Sequence, residues 1–300
     1  MTTAVLLSCH GTVERLDDLP AFVTNIRRGR PAPPEVIDEV RRRFQAIGGS
    51  PLMRITQAQA DALAARLGLP VAIAGRLWHP YPAEVLGALH RSGVRRVVSL
   101  PLAPQSVDVY HAVVRDAAAE QGGMEVRCVP AWGLDPALID AFVEVIDEAL
   151  ARAPEESRAK TAVILSAHSL PQRIIAAGDP YERQFRAMAA EVERRIAPRR
   201  NPVLVAFQSQ GMTGDAWLGP DLRSTFDGLA ARGVREALIA PIGFVADHVE
   251  TLYDLDVEAQ VFAREAGLAR LSRAPAVNTR PRFIDALEAL VRRELAQAAP

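Results

Sequence analysis

Short aliphatic and β-branched runs alternate along this chain with longer segments whose apolar residues recur every three or four positions. The short runs predict strands over Ala4–Cys9, Val71–Arg76, Val94–Leu102, Glu125–Val129, Thr161–Ser166, Val203–Gln208, Arg235–Ile242 and Ala269–Arg273. The longer ones predict helices over Pro34–Ala46, Thr56–Leu67, Pro82–Arg91, Val107–Ala119, Pro136–Ala151, Pro180–Ile196, Asp221–Ala231, Val245–Glu265 and Arg282–Ala296. Strands that are apolar throughout, rather than every second residue, must be covered on both faces. Together with the alternation this predicts an α/β protein with buried parallel sheets.

The pattern repeats. Leu86-Gly87-Ala88-Leu89-His90-Arg91-Ser92-Gly93-Val94-Arg95-Arg96-Val97-Val98-Ser99-Leu100-Pro101-Leu102 is similar to Phe226-Asp227-Gly228-Leu229-Ala230-Ala231-Arg232-Gly233-Val234-Arg235-Glu236-Ala237-Leu238-Ile239-Ala240-Pro241-Ile242. Each is a helix, a glycine stop, a basic residue and a strand ending near proline. Each half also opens on a strand with a histidine just past its end, His10 and His168. The repeat predicts two similar Rossmann-like lobes, residues 1–155 and 156–300, divided at the polar break Pro154-Glu155-Glu156-Ser157. Ligands of open α/β sheets bind past the carboxyl ends of strands. The expected active site is therefore a cleft between the lobes with His10 and His168 at its mouth.

Bulk properties narrow the function. A net charge of −1 gives no reason to expect nucleic acid or an anionic membrane as partner. No apolar run reaches the roughly 18 residues a transmembrane helix needs. The two cysteines, Cys9 and Cys128, lack the spacing of a thiolate metal site, so neither an iron–sulfur cluster nor a disulfide framework is expected. The start of the chain reads as a first strand rather than a signal peptide, and a cytoplasmic location is expected.

One segment stands apart in charge. From Glu236 to Ala263 the chain carries six carboxylates, one histidine and neither Lys nor Arg. On a regular helix Glu250, Asp254 and Glu258 share one face, and like charges at that spacing cost about 0.2–0.5 kcal/mol per pair. Such a helix needs a cation from elsewhere, unless it is simply a solvated acidic face. Val249, Leu252, Tyr253 and Val257 indicate that it is also packed. A neutral imidazole is a base or metal ligand near neutral pH, and carboxylates accept cations such as Fe(II). His168 and Glu250, both following strands of the second lobe, thus predict a site that holds a metal loosely.

These segments resemble those of the ferrochelatases. Ser166-Ala167-His168-Ser169-Leu170-Pro171 with Gly178-Asp179-Pro180-Tyr181 is similar to that family's active-site histidine block. Phe207-Gln208-Ser209-Gln210-Gly211 and Trp217-Leu218-Gly219-Pro220 resemble the next block, and Pro241 to Asp254 the block with the catalytic glutamate. Ile26-Arg27-Arg28-Gly29-Arg30, Phe44 to Leu52 and Phe283-Ile284-Asp285-Ala286-Leu287 match as well. The blocks occur in family order over essentially the whole chain.

The resemblance implies a lyase that inserts Fe(II) into a porphyrin late in haem biosynthesis. It implies His168 as pyrrole proton acceptor or metal contact, Glu250 opposite it, and Asp254 and Glu258 as an acidic path toward solvent. It implies substrate contacts at His10, Arg27, Arg28, Arg30, Ser50, Gln208 and Ser209. Iron is then a substrate and no tightly bound cofactor is expected. Transient contact with neighbouring haem-pathway enzymes is a further expectation. Departures from the family pattern are His10, where relatives carry Tyr or a non-ligating residue, a shorter Gly48-Gly49-Ser50 loop, and the Pro104-Gln105-Ser106-Val107 segment. His10 is expected to touch the metal centre. The Arg27-Arg28-Gly29-Arg30 run resembles the soluble bacterial branch and suits a tetracarboxylate, so coproporphyrin III is expected ahead of protoporphyrin IX. Two alternatives stay open: a chelatase for another metal and tetrapyrrole, and a porphyrin or haem carrier without catalysis.

Overall fold

A computed structural model describes residues 2–211 and 214–297. They form two compact units, one of residues 2–132 with 278–297 and the other of residues 133–211 with 214–277.

The first unit is built on a parallel sheet of Thr3–Cys9 (β1), Val71–Gly75 (β2), Arg96–Pro101 (β3) and Glu125–Cys128 (β4), in the order β2-β1-β3-β4. Val5 pairs with Val71 on one side and Val98 on the other. β1 is therefore an interior strand, and Ala4, Val5, Leu6 and Leu7 are all fully buried, so both of its faces are covered as its unbroken apolar run requires. Ala4, Leu6, Leu86, Val97 and Val114 form part of the core on one face.

The second unit repeats the plan. Ala162–His168 (β5), Val203–Gln208 (β6), Glu236–Ala240 (β7) and Arg270–Arg273 (β8) form a parallel sheet in the order β6-β5-β7-β8. The two repeated segments end on β3 and β7, which hold equivalent places in the two sheets. In both, the glycine before the strand turns the chain in the left-handed region, with φ of 92° at Gly93 and 76° at Gly233. Ile164, Ala206, Phe226, Ile239 and Leu255 are buried together against this sheet.

The division expected at residue 155/156 differs from the observed one for two packing reasons. The helix Pro136–Ala151 lies against Tyr181–Ile196 of the second unit, and Arg199 Nε donates to Asp147 at 2.8 Å. Its N-cap, Asp135, accepts from Ala137 N at 3.0 Å with Pro136 next in the chain, so the helix starts sharply at the unit's edge. The final helix, Pro281–Ala296, returns to the first unit and packs on Leu52–Leu67. There Gln59 Nε2 donates to Asn278 O at 2.9 Å, Arg127 Nη1 to Glu294 O at 2.8 Å, and Phe283 meets Trp132 with ring centres 6.3 Å apart.

The other large departure is the helix expected over Val245–Glu265. It is observed as a helical turn at Val249–Leu252, a π turn at Asp254–Glu258 and a helix at Ala259–Glu265. Glu258 N reaches back five residues to Tyr253 O at 3.0 Å, which widens the turn. The reason is a conflict between two faces. The sheet takes Leu255, Ala259 and Ala263 into its core, while Glu250 and Asp254 are engaged at the strand ends described below. An added residue in one turn lets the segment serve both. The polar break near residue 155 holds a short helix, Glu155–Arg158. No helix of the described residues is long and apolar enough to cross a membrane.

Candidate active site

β5 continues two residues further than its apolar run, so His168 is its last residue and pairs with Gln208 at the end of β6. Three contacts fix the backbone there. Ser169 N donates to Gln208 O at 2.7 Å, Ser169 Oγ to Leu218 O at 2.9 Å, and the buried Tyr181 hydroxyl to His168 O at 2.9 Å. Burial, then the charges of Glu250 and Asp179, push the Tyr181 phenol far above its ordinary pKa. It stays a neutral donor and holds the strand end.

The loop after β7 comes against the same strand. Gly243 N donates to Ser166 O at 3.0 Å, and a Cβ on Gly243 would lie 2.5 Å from the Cβ of Ala167. Only glycine allows that approach. The following turn is tied by side chains: His248 N donates to Thr251 Oγ1 at 2.9 Å, and Thr251 Oγ1 donates to Asp247 Oδ1 at 3.1 Å. Arg273 of β8 donates to Asp247 at 2.8 Å and to both carboxylate oxygens of Asp256 at 2.7 and 2.9 Å.

Glu250 is thereby delivered to His168. Its Oε2 lies 3.1 Å from His168 Nδ1 and 3.6 Å from His248 Nε2. His248 Nδ1 is 3.2 Å from Ala246 O. Its ring stacks at a tilt on Phe244, with centres 4.8 Å apart. Burial opposes charge on His168, but the Glu250 carboxylate, and more weakly Asp254, outweighs it and raises the imidazole pKa. Burial likewise opposes charge on Glu250, yet His168 and then His248 hold its carboxyl well below the ordinary range. The carboxylate therefore stabilises the imidazolium once His168 has taken up a proton, and about a third of each side chain is still open, 34% and 32%.

Gln208 is 3% exposed and fully committed. Its Oε1 accepts from Ser166 Oγ at 2.8 Å and its Nε2 donates to Glu250 O at 2.9 Å. Its amide thus clamps the Glu250 backbone to β5. Ser209, at φ 60°, donates its hydroxyl to the Asp254 carboxylate. Glu258 lies half-buried on the π turn, beyond Asp254. Because that turn is widened, Glu250, Asp254 and Glu258 no longer share the single straight face expected of a regular helix. Among the described residues no three His, Cys, Asp or Glu side chains form a ready metal cage.

The remaining expected residues lie on the first unit. His10 follows β1, half-buried, with its ring edge-on to Phe22 at 6.4 Å. Arg27, Arg28 and Arg30 occupy the turn after the helix Leu19–Ile26, where Arg28 has φ 56°, and none has an ion-pair partner among the described residues. The Ser50 hydroxyl is buried without a hydrogen bond. The second unit thus brings together His168, Glu250, Gln208, Ser209 and Asp254. The residues that sequence reasoning passed over are Ser166, Tyr181, Thr251 and Arg273; His248 stood out beside Glu250 in the acidic segment but carried no assigned role. The signal for Arg273 was the missing cation of the acidic segment, which β8 supplies from outside it.

The family model described as ferrochelatase matches residues 2–295. The chain belongs to the ferrochelatase family. It is 36% identical to a ferrochelatase of Herpetosiphon aurantiacus over 96% of this chain and 98% of that one. It is 34% identical to a coproporphyrin III ferrochelatase of Bacillus subtilis over 97% of each. A similar enzyme of Geobacillus kaustophilus is 36% identical over 99% of this chain and 97% of its own. In fold the chain is similar to SirB of Bacillus subtilis with Fe3+, at a TM-score of 0.63, 16% identity, 99% of this chain and 96% of that one. It is also similar to CbiX, described as the terminal enzyme of sirohaem biosynthesis in denitrifying bacteria, at a TM-score of 0.57, 18% identity, 98% of this chain and 99% of that one. Ferrochelatases place iron in a porphyrin for haem, and this chain is an enzyme of that class.

Proposed function

We propose that the substrate is coproporphyrin III and that His168 and Glu250 carry the chemistry. The observation that carries this reading is the 3.1 Å contact between His168 Nδ1 and Glu250 Oε2 at the end of β5. Metallation forms bonds from iron to the four pyrrole nitrogens and releases two protons. His168 accepts a proton, because Glu250 stabilises the imidazolium that results. With Nδ1 turned to the carboxylate, Nε2 is the nitrogen that meets the macrocycle. His168 and Glu250 offer Fe(II) few and exchangeable ligands, which suits a metal in transit. Asp254 and Glu258 carry protons or iron between the pair and solvent. Arg27, Arg28 and Arg30, with Ser50, take the porphyrin carboxylates, and His10 touches the metal centre. Relatives named for coproporphyrin III support this substrate ahead of protoporphyrin IX. Iron is substrate rather than resident cofactor, and Cys9 and Cys128 hold no iron–sulfur cluster. The enzyme works in the cytoplasm and meets neighbouring haem-pathway enzymes transiently.

The test is anaerobic absorption spectroscopy with Fe(II) and each porphyrin offered separately. Catalytic conversion of the free-base bands with coproporphyrin III preferred is the expected result. Preference for protoporphyrin IX overturns the substrate, and tight binding without turnover overturns the catalytic role. His168→Ala and Glu250→Gln should each lower turnover by about a hundredfold or more while the protein stays folded. Full turnover by either variant removes that residue from the mechanism.

A further inference from the structure

At the end of the second sheet opposite His168, the starts of β5, β6 and β7 surround a cavity of about 490 Å³. Its wall carries Lys160, Arg200, Arg232 and Arg235, all exposed. Lys160 is the only lysine of the chain. None of these four cations has an ion-pair partner among the described residues. Arg232 and Arg235 make only backbone contacts, to Gly228 O at 3.0 Å and Gly267 O at 3.4 Å. The one carboxylate in the wall, Glu236, is already engaged. Arg270 pairs with it, and Ser157 Oγ donates to it at 2.8 Å.

Four unpaired cations around a concave space repel one another, and the cavity concentrates their field. A bound anion relieves that repulsion. The volume falls within the roughly 300–1,000 Å³ typical of small-molecule sites. Guanidinium forks bind clustered anionic oxygens in pairs, and the lysine adds a mobile point charge. We propose that this cavity binds a small multivalent anion bearing clustered negative oxygens, a di- or triphosphate or a polycarboxylate, at a site separate from metal insertion.

The test is isothermal titration calorimetry of the full chain at low ionic strength with tripolyphosphate and, separately, citrate. One saturable site is expected for at least one of them, weakening as salt rises, and the tighter anion identifies the source as phosphate or carboxylate. Arg232→Gln with Arg235→Gln should weaken that binding about tenfold or more, and Lys160→Gln alone about threefold. Arg183→Gln, an exposed cation elsewhere on the unit, should leave it unchanged. The cavity residues lie outside the insertion site, so the same variants should turn over normally. Binding of neither anion, parent-like affinity in both Lys160→Gln and the double variant, or equal weakening by Arg183→Gln overturns the proposal.

Discussion

Burial alone would lower the His168 pKa; the Glu250 carboxylate reverses that. The pH dependence follows from the two directions. Glu250 has a lowered pKa, so its contribution is present above the ordinary carboxylate value of about 4.3 and is lost as pH falls through the lowered one. His168 has a raised pKa, so its contribution is full below the ordinary histidine value of about 6.5 and is lost as pH rises through the raised one. Glu250→Gln should therefore destabilise most near pH 5.5 and least near pH 9. With both side chains a third open to solvent, the difference should be about 1 kcal/mol, read by denaturant unfolding at the two pH values. The His168 imidazole, followed by NMR, should titrate lower in this variant; an unchanged titration would show that Glu250 is not the cause. A second residue-scale prediction concerns Gly243. Its missing side chain is what lets the loop reach Ala167, so Gly243→Ala should cost about 1–3 kcal/mol and reduce turnover with it. Parent-like stability and turnover would show that the loop can move aside freely. His168 and Glu250 were legible in sequence because a strand end and an acidic run without counter-charge mark them. Gln208 was legible only as a polar residue in a motif. That its amide clamps a backbone carbonyl depends on which strands are neighbours, which composition does not encode.

Among the elements, those with sharp chemical ends were read closely. Pro34–Ala46, Pro82–Arg91, Val107–Ala119 and Pro136–Ala151 have the bounds that their apolar spacing and flanking residues indicate. Gln172–Ala176 and Glu155–Arg158 are too short to show a helical period, so nothing in the pattern marks them. The π turn was illegible for another reason. Its carboxylates keep regular four-residue spacing, and only the competing demands of core and site insert the extra residue. Arg273 holds the two sides of that irregular segment through Asp247 and Asp256. Arg273→Met should leave the nearly buried Asp247 without its cation and cost about 3 kcal/mol in denaturant unfolding. Arg273→Lys should recover part of that loss by restoring charge without the fork. Equal losses in both variants would mean that geometry rather than charge is what Arg273 supplies.

For the whole molecule, the internal repeat announced two sheets of like order, and both sheets have it. It could not announce where the last helix goes. Phe283, Ile284, Leu287 and Val291 recur at helical spacing and need an apolar seat, but either unit could have offered one. They lie in the first unit, buried. A chain ending at Val277 should therefore retain amide protection in β5 to β8 and lose it in β1 to β4, measured by hydrogen exchange. Uniform loss across both sheets would show that the units do not fold separately.

The return of that helix sets an order of events during synthesis. A ribosome makes β1 to β4 first, but their core lacks a wall until residues after Val277 have emerged. The second unit is contiguous in the chain and has all its strands before that point. The half made first is thus the half finished last, and its apolar faces must wait while another domain forms. A folding helper that shields such faces would act on the amino-terminal strands, although His168 and Glu250 belong to the part of the chain that completes itself first.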